Sequence, residues 1–246
     1  MGRDFENRKN AILKRGARDA KAFTKAGRQI SIAVKAGGPD PDANPALRRA
    51  IQNARAVQMP KDKILSAIEK ASGANAGDDF QEVLYEGYGP HGIPMLVVTA
   101  TDNPTRTVAN VRSYFKKGGG ALGTSGSVAF LFDQFGTFVV EAGSADRDEL
   151  ELELIDAGLE RLEDDVNEDG KDVWVIYCGR DSFAAMQSAL EARQLNVISS
   201  AMTWVPKTTT TLGDAEREEI EDLIEKLEED DDVQAVYCNL APSDAA

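Results

Sequence analysis

With 246 residues, 42% of them hydrophobic, the chain can bury real cores and build more than one domain. It has no apolar run long enough to cross a bilayer and no charged-then-apolar leader, so a cytoplasmic protein without a membrane partner is expected. The net charge of −14 hides an asymmetry: residues 1–75 hold sixteen Lys and Arg against seven acids (+9), leaving twelve bases against thirty-five acids (−23) in the rest. A basic head on an acidic body suits a protein that presents one end to a polyanion.

Residues 1–17, MGRDFENRKNAILKRGA, are too polar to pack on their own account. Arg8, Lys9, Lys14 and Arg15 suit an arm that orders on nucleic acid; the plainer alternative is a solubilising terminus. Three amphipathic helices follow. Arg18 to Ala36 sets Phe23, Ala26, Ile30, Ala33 and Val34 on one stripe and stops at Gly37-Gly38-Pro39. Asn44-Pro45, an N-cap with proline at the first helical position, opens a second helix with Leu47, Ala50, Ile51, Ala54 and Val57 inward. Pro60 opens a third, with Ile64, Ala67, Ile68 and Ala71 inward. The polar faces of this bundle carry Lys21, Lys25, Arg28, Lys35, Arg48, Arg49 and Arg55, and the surplus of one sign points to phosphate binding. The second and third helices invite a helix-turn-helix label, but their turn is not diagnostic.

After a small polar hinge, Ser72 to Asp79, comes a strand ending at the turn Gly89-Pro90-His91-Gly92 and an apolar strand from Ile93 to Ala100. Thr105 then caps a helix with Val108, Val111 and Phe115 on its inner face and Arg106, Asn110, Arg112, Ser113, Lys116 and Lys117 towards water. Gly118-Gly119-Gly120 ends that helix, and a strand is expected over Ser127 to Phe132.

From Gln134 the pattern restarts as strand Thr137–Glu141, helix Asp146–Ala157, strands Leu159–Asp164 and Asp172–Cys178, helix Asp181–Gln194 and strand Val197–Val205. That order, β-α-β-β-α-β, is the ferredoxin-like plan. A helix from Asp214 to Glu229 and a strand from Val233 to Leu240 remain, orphaned unless they return to the central unit. The expected fold is therefore α+β: a three-helix bundle (1–75), a discontinuous central α/β sandwich (80–133 and 207–241) and an inserted ferredoxin-like domain (135–205). Cys178 and Cys238 lie in apolar strand-like runs; they are expected as buried free thiols, the alternative being a disulfide between them.

Gly118-Gly119-Gly120-Ala121-Leu122-Gly123 matches G-x-G-x-x-G, but it follows a helix and opens a strand, the reverse of a dinucleotide site. What remains is an amide-rich loop beside Arg112, Lys116 and Lys117. Either it holds a phosphate through Gly119, Gly120, Gly123, Thr124 and Ser125, or it is a tight connection. His91, the only histidine, sits in a turn without a zinc pattern. Asp164-Asp165 and Asp230-Asp231-Asp232 read as solvated loop ends. With no nucleophile-and-base pair, neither an enzyme nor a cofactor is expected.

The stretches EGYGPHGI, TDNPTRTVANVRSYFKKGGG and LGTSGSVAFLF, with NPALRRAIQNARAVQMPKDKI upstream and VPKTTTTL and DDDVQAVYCNL downstream, resemble the YebC/PmpR family of gene-expression regulators. Many members begin with a His-Ser-Lys-Trp-type arm, where this chain has Asp4-Phe5-Glu6-Asn7. The resemblance implies the same discontinuous central domain and a DNA-binding transcriptional regulator acting on promoter DNA. Its alternative is a ribosome-associated translation factor that contacts ribosomal RNA and eases synthesis of proline-rich stretches. The expected nucleic-acid contacts are Arg8, Lys9, Lys14, Arg15, Arg18, Lys21, Lys25, Arg28, Arg48, Arg49, Arg106, Arg112, Lys116 and Lys117, on a monomer. A competing class is a protein-interaction module that binds no nucleic acid.

Overall fold

The structure, a computed structural model, describes the backbone of residues 3–73, 79–143, 146–167 and 170–241, and within these ranges the side chains from residue 20 onward. Along the chain the elements are α1 (Arg3–Gly37), α2 (Pro45–Ala56), α3 (Lys61–Ser72), β1 (Gln81–Tyr88), β2 (Pro94–Thr101), α4 (Pro104–Lys117), β3 (Ala121–Leu122), β4 (Phe132–Glu141), α5 (Arg147–Ile155), β5 (Leu159–Val166), β6 (Asp172–Gly179), α6 (Phe183–Ala192), β7 (Val197–Pro206), α7 (Asp214–Glu228) and β8 (Val233–Cys238). The strands form two antiparallel sheets, ordered β3-β1-β2-β8 and β5-β6-β4-β7. The described residues fall into two compact units, bounded as Met1–Val128 with Thr211–Ala246 and as Ala129–Thr210.

In the first unit, α1, α2 and α3 bury Ile30, Val34, Leu47, Ala54, Met59 and Ile64 between them. Asn44 does more than cap α2. Its Oδ1 accepts the Leu47 amide at 3.1 Å, while its Nδ2 donates to the carbonyls of Ala33 at 2.7 Å and Gly38 at 2.8 Å. One buried amide thus starts α2 and ties it to the end of α1. The backbone of α1 reaches back to Arg3, well before the expected start at Arg18. Most of the expected hinge, residues 74–78, lies outside the described residues.

Beyond the bundle, α4 and α7 cover one face of the first sheet. Val111 and Phe115 from α4 and Ile220, Leu223 and Leu227 from α7 close on Ile93, Met95 and Val97. Full burial of side chains this size contributes about 1.5–3 kcal/mol each. The α4 cap differs from expectation: Asn103, not Thr105, caps the helix, accepting the Arg106 amide with Pro104 at the first turn. It repeats the Asn44-Pro45 arrangement. The expected strand Ser127–Phe132 is not formed either. Ala129–Leu131 is a 3₁₀ turn, Phe132 begins β4 in the other sheet, and the edge partner of β1 is the two-residue β3.

The second unit has the β-α-β-β-α-β order, its first and third strands central. Phe138, Val140, Leu162, Trp174, Ile176 and Cys178 from the strands meet Leu150 and Leu154 of α5 and Met186 and Leu190 of α6 in one core, so both helices lie on one face. After β7 the chain returns to the first sheet through α7 and β8. The inserted ferredoxin-like plan of the sequence reading is the plan of the structure. Both cysteines are free, but only Cys178 is buried; Cys238 is half-buried.

Candidate nucleic-acid interface

The side chains of Arg8, Lys9, Lys14, Arg15 and Arg18 lie outside the described residues. The rest of the expected head surface divides into cations facing water and cations turned into the fold. Lys25 donates to the Gln234 carbonyl at 3.3 Å, and burial, with help from neighbouring Lys21, lowers its pKa against the opposing pull of Glu228 and Asp231. Arg28, expected on a water-facing side, is the clearest correction. Its guanidinium is 2.5 Å from Asp232, donates to the Ala100 carbonyl at 2.8 Å and lies 5.0 Å over the Phe80 ring, with the side chain only 13% exposed. A guanidinium so engaged is not presented to phosphate. Arg48 is exposed but donates to the carbonyls of Pro41 and Asp42 at 2.7 and 2.8 Å, bracing the α1–α2 turn. Arg49 is half-buried, and burial lowers its pKa against the pull of Glu82. Lys21 is half-exposed and Arg55 exposed, and neither has a partner among the described residues.

The turn Asp230-Asp231-Asp232, read from sequence as a solvated loop end, is instead a joint; of the three only Asp231 is exposed. The Asp232 side chain is 4% exposed. It accepts from Thr107 at 2.6 Å, Thr101 at 3.3 Å, Arg28 at 2.5 Å and Arg106 at 2.9 Å. Burial pushes its pKa up, but the hydrogen bonds from Thr107, Arg106 and Arg28 outweigh that and hold it below the usual carboxylate range. Asp230 accepts from Asn110 at 3.1 Å, Tyr114 at 3.2 Å and the Asp232 amide at 2.9 Å. Arg106 is half-exposed at 46% and shared between Asp102 and Asp232, so only part of its charge faces outward. Asp164 and Asp165 are exposed, as expected.

At the far end of α4, Arg112, Lys116 and Lys117 are exposed, and no hydrogen bond or ion pair engages their side chains among the described residues. Arg112 and Lys116 are one turn apart, each following a buried residue, Val111 and Phe115, so they lie beside the core-facing stripe and are turned outward. Next comes the glycine loop. Gly120 passes so close to Tyr88 that a Cβ there would collide with the Tyr88 carbonyl. Gly119 and Gly123 are exposed, and Thr124–Ser127 forms a turn closed by the Ser127 amide on the Thr124 carbonyl at 3.1 Å. Gly126, at φ +81°, supplies the left-handed residue such a turn needs. Glu86, buried on β1, accepts the amides of Gly126 at 2.6 Å and Val128 at 2.9 Å, and its carbonyl accepts the Gly123 amide at 2.8 Å. The exposed residues Thr124 and Ser125 keep their amides free of intramolecular acceptors among the described residues. The loop therefore offers two amides and two hydroxyls on a braced frame, with three unpaired cations on the helix that leads into it.

His91 is tied into the first unit: at φ 58° its Nε2 lies 2.9 Å from Glu219 of α7. No group of three or more His, Cys, Asp or Glu among the described residues could hold a metal ion. Sequence reasoning missed Asp232 and Glu86. The one available signal for Glu86 was its charge directly after the apolar and aromatic run Val83-Leu84-Tyr85; for Asp232 there was none, because its partners are far away in sequence.

Family models match nearly the whole chain: the TACO1/YebC protein N-terminal domain over residues 3–74, and the TACO1/YebC second and third domain over residues 80–240. A probable transcriptional regulatory protein of Anaeromyxobacter dehalogenans is 50% identical across 98% of this chain and 100% of its own length. One from Myxococcus xanthus is 49% identical over the same shares, and one from Flavobacterium johnsoniae is 50% identical over 96% and 98%. Among solved structures, a conserved hypothetical protein from Aquifex aeolicus superposes with a TM-score of 0.79 at 36% identity, covering 92% of each chain.

Proposed function

The chain belongs to the TACO1/YebC family, and from that premise we propose that it is a non-enzymatic, nucleic-acid-binding regulator of gene expression that grips its target through phosphates. The observation that carries this reading is the end of α4: Arg112, Lys116 and Lys117 stand exposed and unpaired, among the described residues, on a chain of net charge −14. Three exposed cations gathered at the end of one helix, leading into a loop whose Thr124 and Ser125 amides have no acceptor among the described residues, make a ready phosphate contact. The basic head supplies further positive charge, while the acidic remainder steers phosphate towards these surfaces.

The test is binding of duplex DNA and of structured RNA across a salt series. Phosphate contact makes the affinity fall with a log–log slope of about −0.9 per phosphate on duplex DNA. A flat response would remove the reading and leave a protein-interaction module. Ultraviolet crosslinking in cells, sequencing both DNA and RNA, then assigns the target. Adducts at promoters mark a transcriptional regulator, and adducts on ribosomal RNA mark a ribosome-associated translation factor.

A further inference from the structure

Asp232 lies in the turn between α7 and β8, and its carboxylate touches three elements. Arg28 reaches it from α1, Arg106 and Thr107 from α4, and Thr101 from the end of β2. Around it, Arg28 also donates to the Ala100 carbonyl of β2, and Lys25 and Gln29 donate to the main chain and side chain of Gln234 on β8. The head is thus seated on the β2–β8 side of the sheet by hydrogen bonds along successive turns of α1. One buried acid connects that seat to the helix carrying Arg112, Lys116 and Lys117. A head that merely trailed from the central domain would need none of these bonds.

We propose that Asp232 is a positioning residue for nucleic-acid binding. It registers the basic head against α4, so that the cations of both meet one nucleic acid as a single rigid surface. The inference rests on the phosphate-binding reading above and adds the class of ligand: a duplex or folded nucleic acid, whose phosphates keep fixed spacing. Pre-organised cations gain most against such a partner, whereas a flexible strand conforms to a hinged head equally well.

Electrostatics alone predicts the opposite outcome, which makes the idea testable. Asp232→Asn deletes a negative charge beside two arginines, and on charge alone it should leave binding equal or tighter. The full-length chain, Asp232→Asn and Arg28→Gln are titrated with a short duplex DNA and with a flexible oligouridine over a salt series, each protein being checked for a cooperative melt. The expected result is roughly tenfold weaker duplex binding with a shallower salt slope for both variants, and a change of less than about twofold on the flexible strand. A folded Asp232→Asn protein that binds duplex as tightly as the wild type, or more tightly, overturns the inference. Where Asp232→Asn does not fold, Arg28→Gln decides by the same criterion, because it leaves Arg106, Thr101 and Thr107 on the carboxylate. Wild-type protein with no salt-dependent binding to either probe removes the phosphate-binding reading and this inference together; salt-dependent wild-type binding with unchanged variants removes the inference alone.

Discussion

Glu86 and Val128, forty-two positions apart in sequence, are joined by a 2.9 Å hydrogen bond from the Val128 amide to a carboxylate that also takes the Gly126 amide at 2.6 Å. Beyond the short β1–β3 pairing, the end of the glycine loop is therefore braced by an acid. Glu86→Ala leaves those amides without their acceptor and should cost about 1–3 kcal/mol, read as a shift in urea midpoint at unchanged slope. Hydrogen exchange at Gly126 and Val128 should quicken as well. Unchanged protection there would show that something else braces the loop.

Asn44 has a comparable place in the head, where its side chain joins α1 to α2 through Ala33, Gly38 and Leu47. Asn44→Ala removes a cap and leaves the Ala33 and Gly38 carbonyls without their donor at once. The expected loss is about 2 kcal/mol, carried by the helical signal of the bundle in thermal melts followed by circular dichroism. Asn44→Asp keeps the acceptor for Leu47 but turns a buried carboxylate oxygen against the Ala33 and Gly38 carbonyls, so it should lose at least as much as Asn44→Ala.

The ferredoxin-like unit was legible because periodicity there is local: β4 to β7 each announce themselves by apolar alternation, and the topology follows from their order. The Asn44-Pro45 cap was legible for the same reason, and Asn103-Pro104 carried the same signal although Thr105 was preferred. Ser127–Phe132 misled because its residues look strand-like, while Glu86 takes the Val128 amide that a ladder would use, together with that of Gly126 just before it. Arg28 misled in the opposite way. Helical phase puts it on the polar side of the bundle, but that side is itself covered by β2 and β8, which only tertiary structure reveals. Charge near a helix surface said where cations were, not which were already satisfied.

Asp232 gives a pH dependence whose sign is fixed by its surroundings. Its folded pKa lies below the ordinary value because the bonds from Thr107, Arg106 and Arg28 outweigh burial. Its stabilising contribution is therefore complete above the unfolded pKa of about 3.9 and is lost as pH falls from there through the folded value. Urea unfolding from neutral pH down through that window should show stability dropping in the wild type. Asp232→Asn should be less stable at neutral pH by about 3 kcal/mol, with a flatter acid limb. An acid limb as steep in the variant as in the wild type would place the titration elsewhere.

The α4 cations separate a binding role from a structural one most cleanly. Arg112, Lys116 and Lys117 are exposed and make no described contact, so replacing all three with alanine should leave stability within about 0.5 kcal/mol. Their loss should still weaken duplex binding and make the salt slope shallower by up to about 2.7, at roughly 0.9 for each phosphate no longer neutralised. Fluorescence anisotropy across a salt series measures both the affinity and the slope. Binding that weakens at one salt concentration with an unchanged slope would mean that these side chains contact no phosphate and act through the shape of the loop. A variant identical to the wild type in both would move the interface off α4 altogether and onto the head.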